Sequence, residues 1–272
     1  MDNKVTENIS QAYNANFTTI LDVKIDLLEK NEILNKIEVI LHSKIEKPYL
    51  ISTVNLEFIM LAQKNEKFRH YLNFESSINT VDGVGILNIL KWYKITFNER
   101  VCGSDLVYDL AGICNKMNKK YFILGASEEV SNKAKENLKQ IYKNLQIDNY
   151  SPPYTKSLSF STHENEIIKN KIAKFKPDVV CVAFGAPKQE LWISEHKDFL
   201  NEMGVKIAIG LGGSFDFIAG KVQRAPEIFK KTGNEWLYRL IKEPKTRFKR
   251  QISTIPLYYW LCFIDFIRKK YK

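Results

Sequence analysis

The sequence has no CxxC pair: Cys102, Cys114, Cys181 and Cys262 stand singly, and its histidines, His42, His70, His163 and His196, are far apart. That spacing argues against a structural zinc site, and unpaired thiols fit a reducing compartment. The first residues, MDNKVTENISQAYNANF, lack the apolar core of a secretory signal, so a cytoplasmic location is expected. A GxxxxGK[ST] phosphate loop is also missing, which disfavours an ordinary ATPase. GLGGSF at 210–215 is not GxGxxG, and about twenty residues beyond Gly210 stand Phe229 and Lys230 rather than an acidic ribose ligand. A nicotinamide enzyme is disfavoured as well. The longest uncharged stretch of the carboxyl-terminal region, QISTIPLYYWLCFI, has fourteen residues. A spanning helix needs roughly twenty, so this segment is too short to cross a bilayer.

Charge is abundant and uneven. Of the formal net charge of +10, residues 236–272 supply +8, from ten Lys/Arg against Glu243 and Asp265. The rest of the chain is nearly neutral. Such a basic end suits an anionic partner: nucleic acid, anionic lipid or a phosphorylated substrate.

The remainder reads as alternating strands and helices. FTTILDVKI is a short strand or hairpin, and residues 29–42 form a helix with Ile33, Leu34, Ile37, Ile40 and Leu41 on one face. PYLIST, SSINTV, YFILG, DVVCVAFG and VKIAIGLGG read as buried strands, each followed by a helical stretch. This alternation predicts an α/β, Rossmann-like fold: a largely parallel sheet with helices on both faces. YSPPYTKSLSFST is the clearest loop, with paired prolines and clustered Ser/Thr. Beyond Gly233 glycine disappears and aromatics interleave with basic residues. Three regions are therefore expected: a polar tail (1–16), a catalytic core (17–233) and a basic, aromatic helical appendage (234–272). The core is expected to fold without the appendage.

In an open parallel sheet, ligands bind outside the carboxyl ends of the strands. Five predicted strands end there in Thr53 and Asn55, in Asp82 and Gly83, in Gly125, in Gly185, and in Gly212 and Gly213. Glycine lets backbone N–H groups approach a ligand, and the helix that follows turns its positive end toward an anion such as a diphosphate. Equally, the glycines serve tight strand-to-helix turns. Pro187 suits a first helical turn, which would project Lys188, Gln189 and Glu190 toward the crevice. Asp82 fits either a general base or a helix cap, and Asp105 and Asp216 read as helix starts.

Seven short motifs, in one order, resemble the TagA/WecG/CpsF bacterial glycosyltransferases, glycosyltransferase family 26. They are TVN (53–55), VDGVG (81–85), ERVCGSDL (99–106), GAPKQE (185–190), GGSFDFIAG (212–220), RAP (224–226) and EWLYRLIKEPKTRFKR (235–250). Val54 and Cys102 depart from the residues frequent in the family, proline and threonine. The resemblance implies an inverting transfer of a sugar, most often N-acetylmannosamine or its uronic acid. The donor would be a UDP-sugar and the acceptor a polyprenyl-diphosphate-linked sugar at the cytoplasmic membrane face. It also implies that Asp82 is the base and Thr53 a neighbouring active-site hydroxyl. Asn55, Gly83, Gly125, Gly185, Lys188, Gln189, Glu190, Gly212, Gly213 and Asp216 would line the substrate site, with Arg239, Arg247 and Arg250 closing over the diphosphate. The sequence holds no Asp-x-Asp pair, the usual metal and diphosphate ligand of many sugar transferases, so neither metal nor cofactor is expected.

Tyr258, Tyr259, Trp260 and Phe263, flanked by Lys/Arg, read as an interfacial helix that seats the enzyme on the inner membrane face; the alternative is a terminal core helix with a solvated basic face. Two rival functions are a soluble nucleotide-sugar enzyme, such as an epimerase, and a nucleic-acid-binding protein. The second leaves the glycine loops and Asp82 without a purpose, so no nucleic acid is expected. Assembly into a homo-oligomer remains compatible with the sequence.

Overall fold

The computed structural model describes residues 17–223, Pro226, Tyr238 and a helix over 244–270, and within that helix the side chains of 253–268. The expected polar tail, 1–16, lies outside the described residues, as does Arg239; the side chains of Arg247 and Arg250 do too.

The chain opens with the predicted hairpin, β1 (Phe17–Ile20) and β2 (Val23–Asp26), followed by α1 (Lys30–His42). Glu29 and Glu32 close a capping box at the start of α1, and Ile33, Ile37 and Leu41 bury its apolar face. Then come β3 (Tyr49–Val54), α2 (Leu56–Ala62), and α3 (Glu66–His70), which runs into a π-helical turn at Tyr71–Glu75. Next are β4 (Ile78–Val81), α4 (Val84–Trp92), α5 (Gly103–Lys116), β5 (Lys120–Gly125), α6 (Glu128–Ile141) and β6 (Gln146–Tyr150). The described elements end with α7 (Thr162–Phe175), β7 (Val179–Ala183), α8 (Lys188–Glu195), α9 (Lys197–Glu202), β8 (Ile207–Gly210), α10 (Ser214–Ile218) and α11 (Pro244–Lys270).

β3 to β8 form one six-stranded sheet in the order β4-β3-β8-β7-β5-β6. Every pairing in it is parallel. Strands covered on both faces need apolar side chains at odd and even positions alike, which is why VVCVA and IAIG carry no polar alternation. Val180, Val182 and Ala208 join one core with α2, α4, α7 and α8, whereas Val179, Cys181 and Ile207 join another with α1, α5, α6 and α10. The expected α/β architecture with helices on both faces is what the chain adopts.

Two features depart from the sequence reading. QIDNY at 146–150 is a strand, paired with β5 at the sheet edge. Only Ile147 is buried there, so the segment has no apolar run to betray it. The second concerns the appendage, whose apolar segment follows the alternative of a terminal core helix. α11 is 27 residues long, with Pro256 inside it. It packs back on α2 and α4, and its Tyr258 and Cys262 are fully buried in the same core as β3 and β7. Tyr258 donates to Gly85 O (3.3 Å), and Tyr259 accepts from Asn88 Nδ2 (3.0 Å). Tyr93 donates to Asp265 and stacks on Phe266. A chain cut after Gly233 would remove Tyr258 and Cys262 from that core.

Candidate active site

Because the six strands are parallel, the five nominated strand ends meet at one edge, and that edge has two halves of different character. The first is built by β3, β4 and α5. Asp82 follows β4 directly; its N–H donates to Val54 O (2.8 Å), which fixes the backbone, and its half-buried side chain is turned to the start of α5. There Asp82 Oδ2 accepts from the Gly103 N–H (3.3 Å), so the positive end of the α5 dipole faces the carboxylate. Gly83, with φ of +124°, turns the chain from the strand into α4 in a region that side chains other than glycine's rarely adopt.

Gly103 is the close-packed point of this half. A methyl group there would lie 3.1 Å from Thr53 Oγ1, 3.2 Å from Leu211 Cδ2 and 3.4 Å from Ser214 Oγ. Thr53 on β3, Asp82 after β4 and the segment following β8 thus converge on the amino end of α5. The Cys102 thiol is raised well above its ordinary pKa, by burial first and then by the charge and hydrogen bond of Asp82, with Arg100 opposing. Arg100 and Ser214 were quoted within motifs but not nominated from sequence; neither has a residue type that separates a site side chain from a surface one. Asn55 serves the scaffold: its side chain accepts from Glu57 N (2.9 Å) and Phe58 N (3.2 Å) and so caps α2.

The second half is built by β5, β7, β8 and α8. Gly185, with φ of +80°, has open space where a side chain would stand. Gly125 is the opposite: a methyl there would sit 2.7 Å from Phe184 Cδ1 and 2.8 Å from Ala183 O, so this glycine serves close strand packing. Gly212 borders Gln189, while the exposed Gly213 lies beside Asp216 in the first turn of α10.

Lys188, Gln189 and Glu190, expected to project toward the crevice, are all buried. Lys188 is buried, its Nζ 3.6 Å from the centroid of the Phe160 ring, and burial lowers its pKa. Gln189 and Glu190 are 2% and 0% exposed. Gln189 Oε1 accepts from both Gly185 N (3.1 Å) and Gly212 N (3.0 Å), while its Nε2 donates to Glu190 Oε1 (2.6 Å). Burial pushes the Glu190 carboxyl up to about 7, against the opposing hydrogen bond from Gln189. Among the described residues, no group of three or more His, Cys, Asp or Glu has a metal-holding arrangement.

Residues 18–272 match the profile described as the Glycosyl transferase WecG/TagA/CpsF family. The chain belongs to this family. Among its relatives is the N-acetylglucosaminyldiphosphoundecaprenol N-acetyl-beta-D-mannosaminyltransferase of Bacillus subtilis (strain 168), 34% identical over 247 residues, which are 90% of this chain and 85% of the relative. The enzyme of the same name from Staphylococcus aureus (strain MRSA252) is 30% identical over 241 residues, 89% of this chain and 90% of that one. That from Bacillus spizizenii (strain ATCC 23059 / NRRL B-14472 / W23) is 32% identical over 212 residues, 78% and 77% of the two chains. The resemblance carried by the seven motifs thus extends over nearly the whole chain. In this glycosyltransferase the two halves of the sheet edge are the candidate active site.

Proposed function

We propose that the chain transfers N-acetylmannosamine, or a closely related sugar, from a UDP donor to a polyprenyl-diphosphate-linked N-acetylglucosamine, with inversion. The observation that carries this reading is the half-buried Asp82 carboxylate, held against the amino end of α5 beside Thr53, in a chain aligned over 90% of its length with a mannosaminyltransferase. Asp82 accepts the proton of the acceptor hydroxyl as that oxygen bonds to the anomeric carbon of the donor; the bond from this carbon to the diphosphate breaks, and UDP leaves. The loops at Gly185 and Gly212 would bracket the donor, and Arg239, Arg247 and Arg250 would neutralise the departing diphosphate.

Membrane seating belongs to the same reading. Among the described residues no helix is long and apolar enough to span a bilayer. On α11, however, Leu257, Trp260, Phe263 and Ile267 recur at helical spacing and are exposed, next to Arg268. An apolar stripe with a cation beside it suits an interfacial helix, with the opposite face occupied by Tyr258 and Cys262.

The test is UDP release by the purified chain across a set of UDP-sugars, with and without a short polyprenyl-diphosphate-N-acetylglucosamine. Release that needs both UDP-N-acetylmannosamine and this acceptor is the expected result. No release with any donor would overturn the reading.

A further inference from the structure

Glu190 is an expensive residue for its place. A carboxyl group with no exposure is stable in the fold only if something holds it, yet its Oε2 has no hydrogen-bond partner. The neighbouring Tyr71 hydroxyl is also buried, beside Ser52 and Ser76, and its acidity is suppressed by burial first and by the Glu190 charge second. Besides a bond to its own backbone N–H, the Glu190 carboxyl accepts through Oε1 from the Gln189 amide. That bond and the two backbone donors together decide which way round the amide sits. With Nε2 donating to the carboxylate, Oε1 faces the Gly185 and Gly212 N–H groups; turned about, the amide would set its own N–H groups against those two donors. β8 makes room for the pair by ending in Gly210, where a methyl group would collide with Glu190 Oε1 and lie 2.6 Å from Gln189 Nε2.

We infer that Glu190 is a positioning residue of the transferase: by accepting from Gln189 it locks the amide that ties the Gly185 loop to the Gly212 loop, and so sets the spacing of the two loops that bracket the donor diphosphate. Glu190 itself touches no substrate. The inference rests on the transferase reading for the identity of the donor, but the loop brace can be measured without turnover.

Two variants of the full chain test it. Glu190→Gln keeps an acceptor for the Gln189 amide, whereas Glu190→Leu keeps bulk and removes the acceptor. Hydrogen exchange should be read at the Gly185 and Gly212 amides, together with KM and kcat for the UDP-sugar. Glu190→Gln should keep parent-like protection and donor KM. Glu190→Leu should speed exchange at both amides by about tenfold or more, the scale of one hydrogen bond to a charged group, and raise donor KM more than it lowers kcat. Parent-like exchange and KM in Glu190→Leu would overturn the inference. So would an equal loss in both variants, which would mean that the charge acts directly. Should Glu190→Leu fail to fold, Glu190→Gln still decides: lost protection or a large rise in donor KM in that variant overturns the brace. A parent chain that neither binds nor releases UDP defeats the transferase reading alone and leaves the exchange result standing.

Discussion

The two halves of the sheet edge each hold a carboxyl group, and they treat it in opposite ways. Asp82 stands half-buried at the end of β4, met by a backbone N–H at the start of α5. Glu190 is sealed beneath β7 and β8, where burial raises its pKa to about 7. An accessible carboxylate can exchange a proton with a substrate; a sealed one can only hold its neighbours in place. On the proposed reading, the first half is the chemical half and the second the binding scaffold.

The largest effect on this division should come from removing support behind the chemical half. Tyr258 is fully buried and donates to Gly85 O, two residues past Gly83. Tyr258→Ala should cost about 3 kcal/mol or more of stability, the range for emptying a buried aromatic site. Its denaturation midpoint, read by circular dichroism, should fall accordingly. A midpoint equal to the parent's would mean that α11 is not part of the core.

The sealed half yields a pH-dependent prediction. The folded pKa of Glu190 lies above that of an unfolded carboxyl, so between about 4.3 and about 7 the native state binds more protons than the unfolded chain. Stability contributed by this group is present below that window and is lost as pH rises through it. Glu190→Gln carries no such titration. Its advantage over the parent should grow with pH across the window, to about 3 kcal/mol by pH 8. Thermal unfolding at pH 5 and pH 8 reads this directly, and an unchanged difference between the two would show that Glu190 is not sealed. The smallest effect belongs to Asn55, whose Oδ1 caps α2. Asn55→Ala should lose about 1 kcal/mol of stability while donor KM stays near that of the parent. A large KM change with little loss of stability would return Asn55 to the substrate site.

Much of this was legible in the sequence where burial dictates residue type. Strands such as VVCVA are apolar throughout because both faces are covered, and the parallel order follows from the helices between them. The position of Asp82 after a buried strand fits a base or a helix cap alike, and only the motif resemblance points to the base. β6 was not legible, since an edge strand with one buried residue needs no apolar pattern. Nor was the aim of Gln189 and Glu190: at a helix start, side-chain direction depends on how the helix is rotated over the sheet, which composition does not encode. The same holds for Tyr258, whose aromatic neighbours look alike in sequence although Trp260 is exposed and Tyr258 is not.

The central claim is that the accessible carboxylate performs the chemistry, and Asp82→Asn tests it most directly. Its kcat for UDP release in the presence of acceptor should fall by about a hundred- to ten-thousand-fold, with UDP affinity and thermal stability near those of the parent. Turnover within a few-fold of the parent, in a folded protein that binds UDP, would contradict the account.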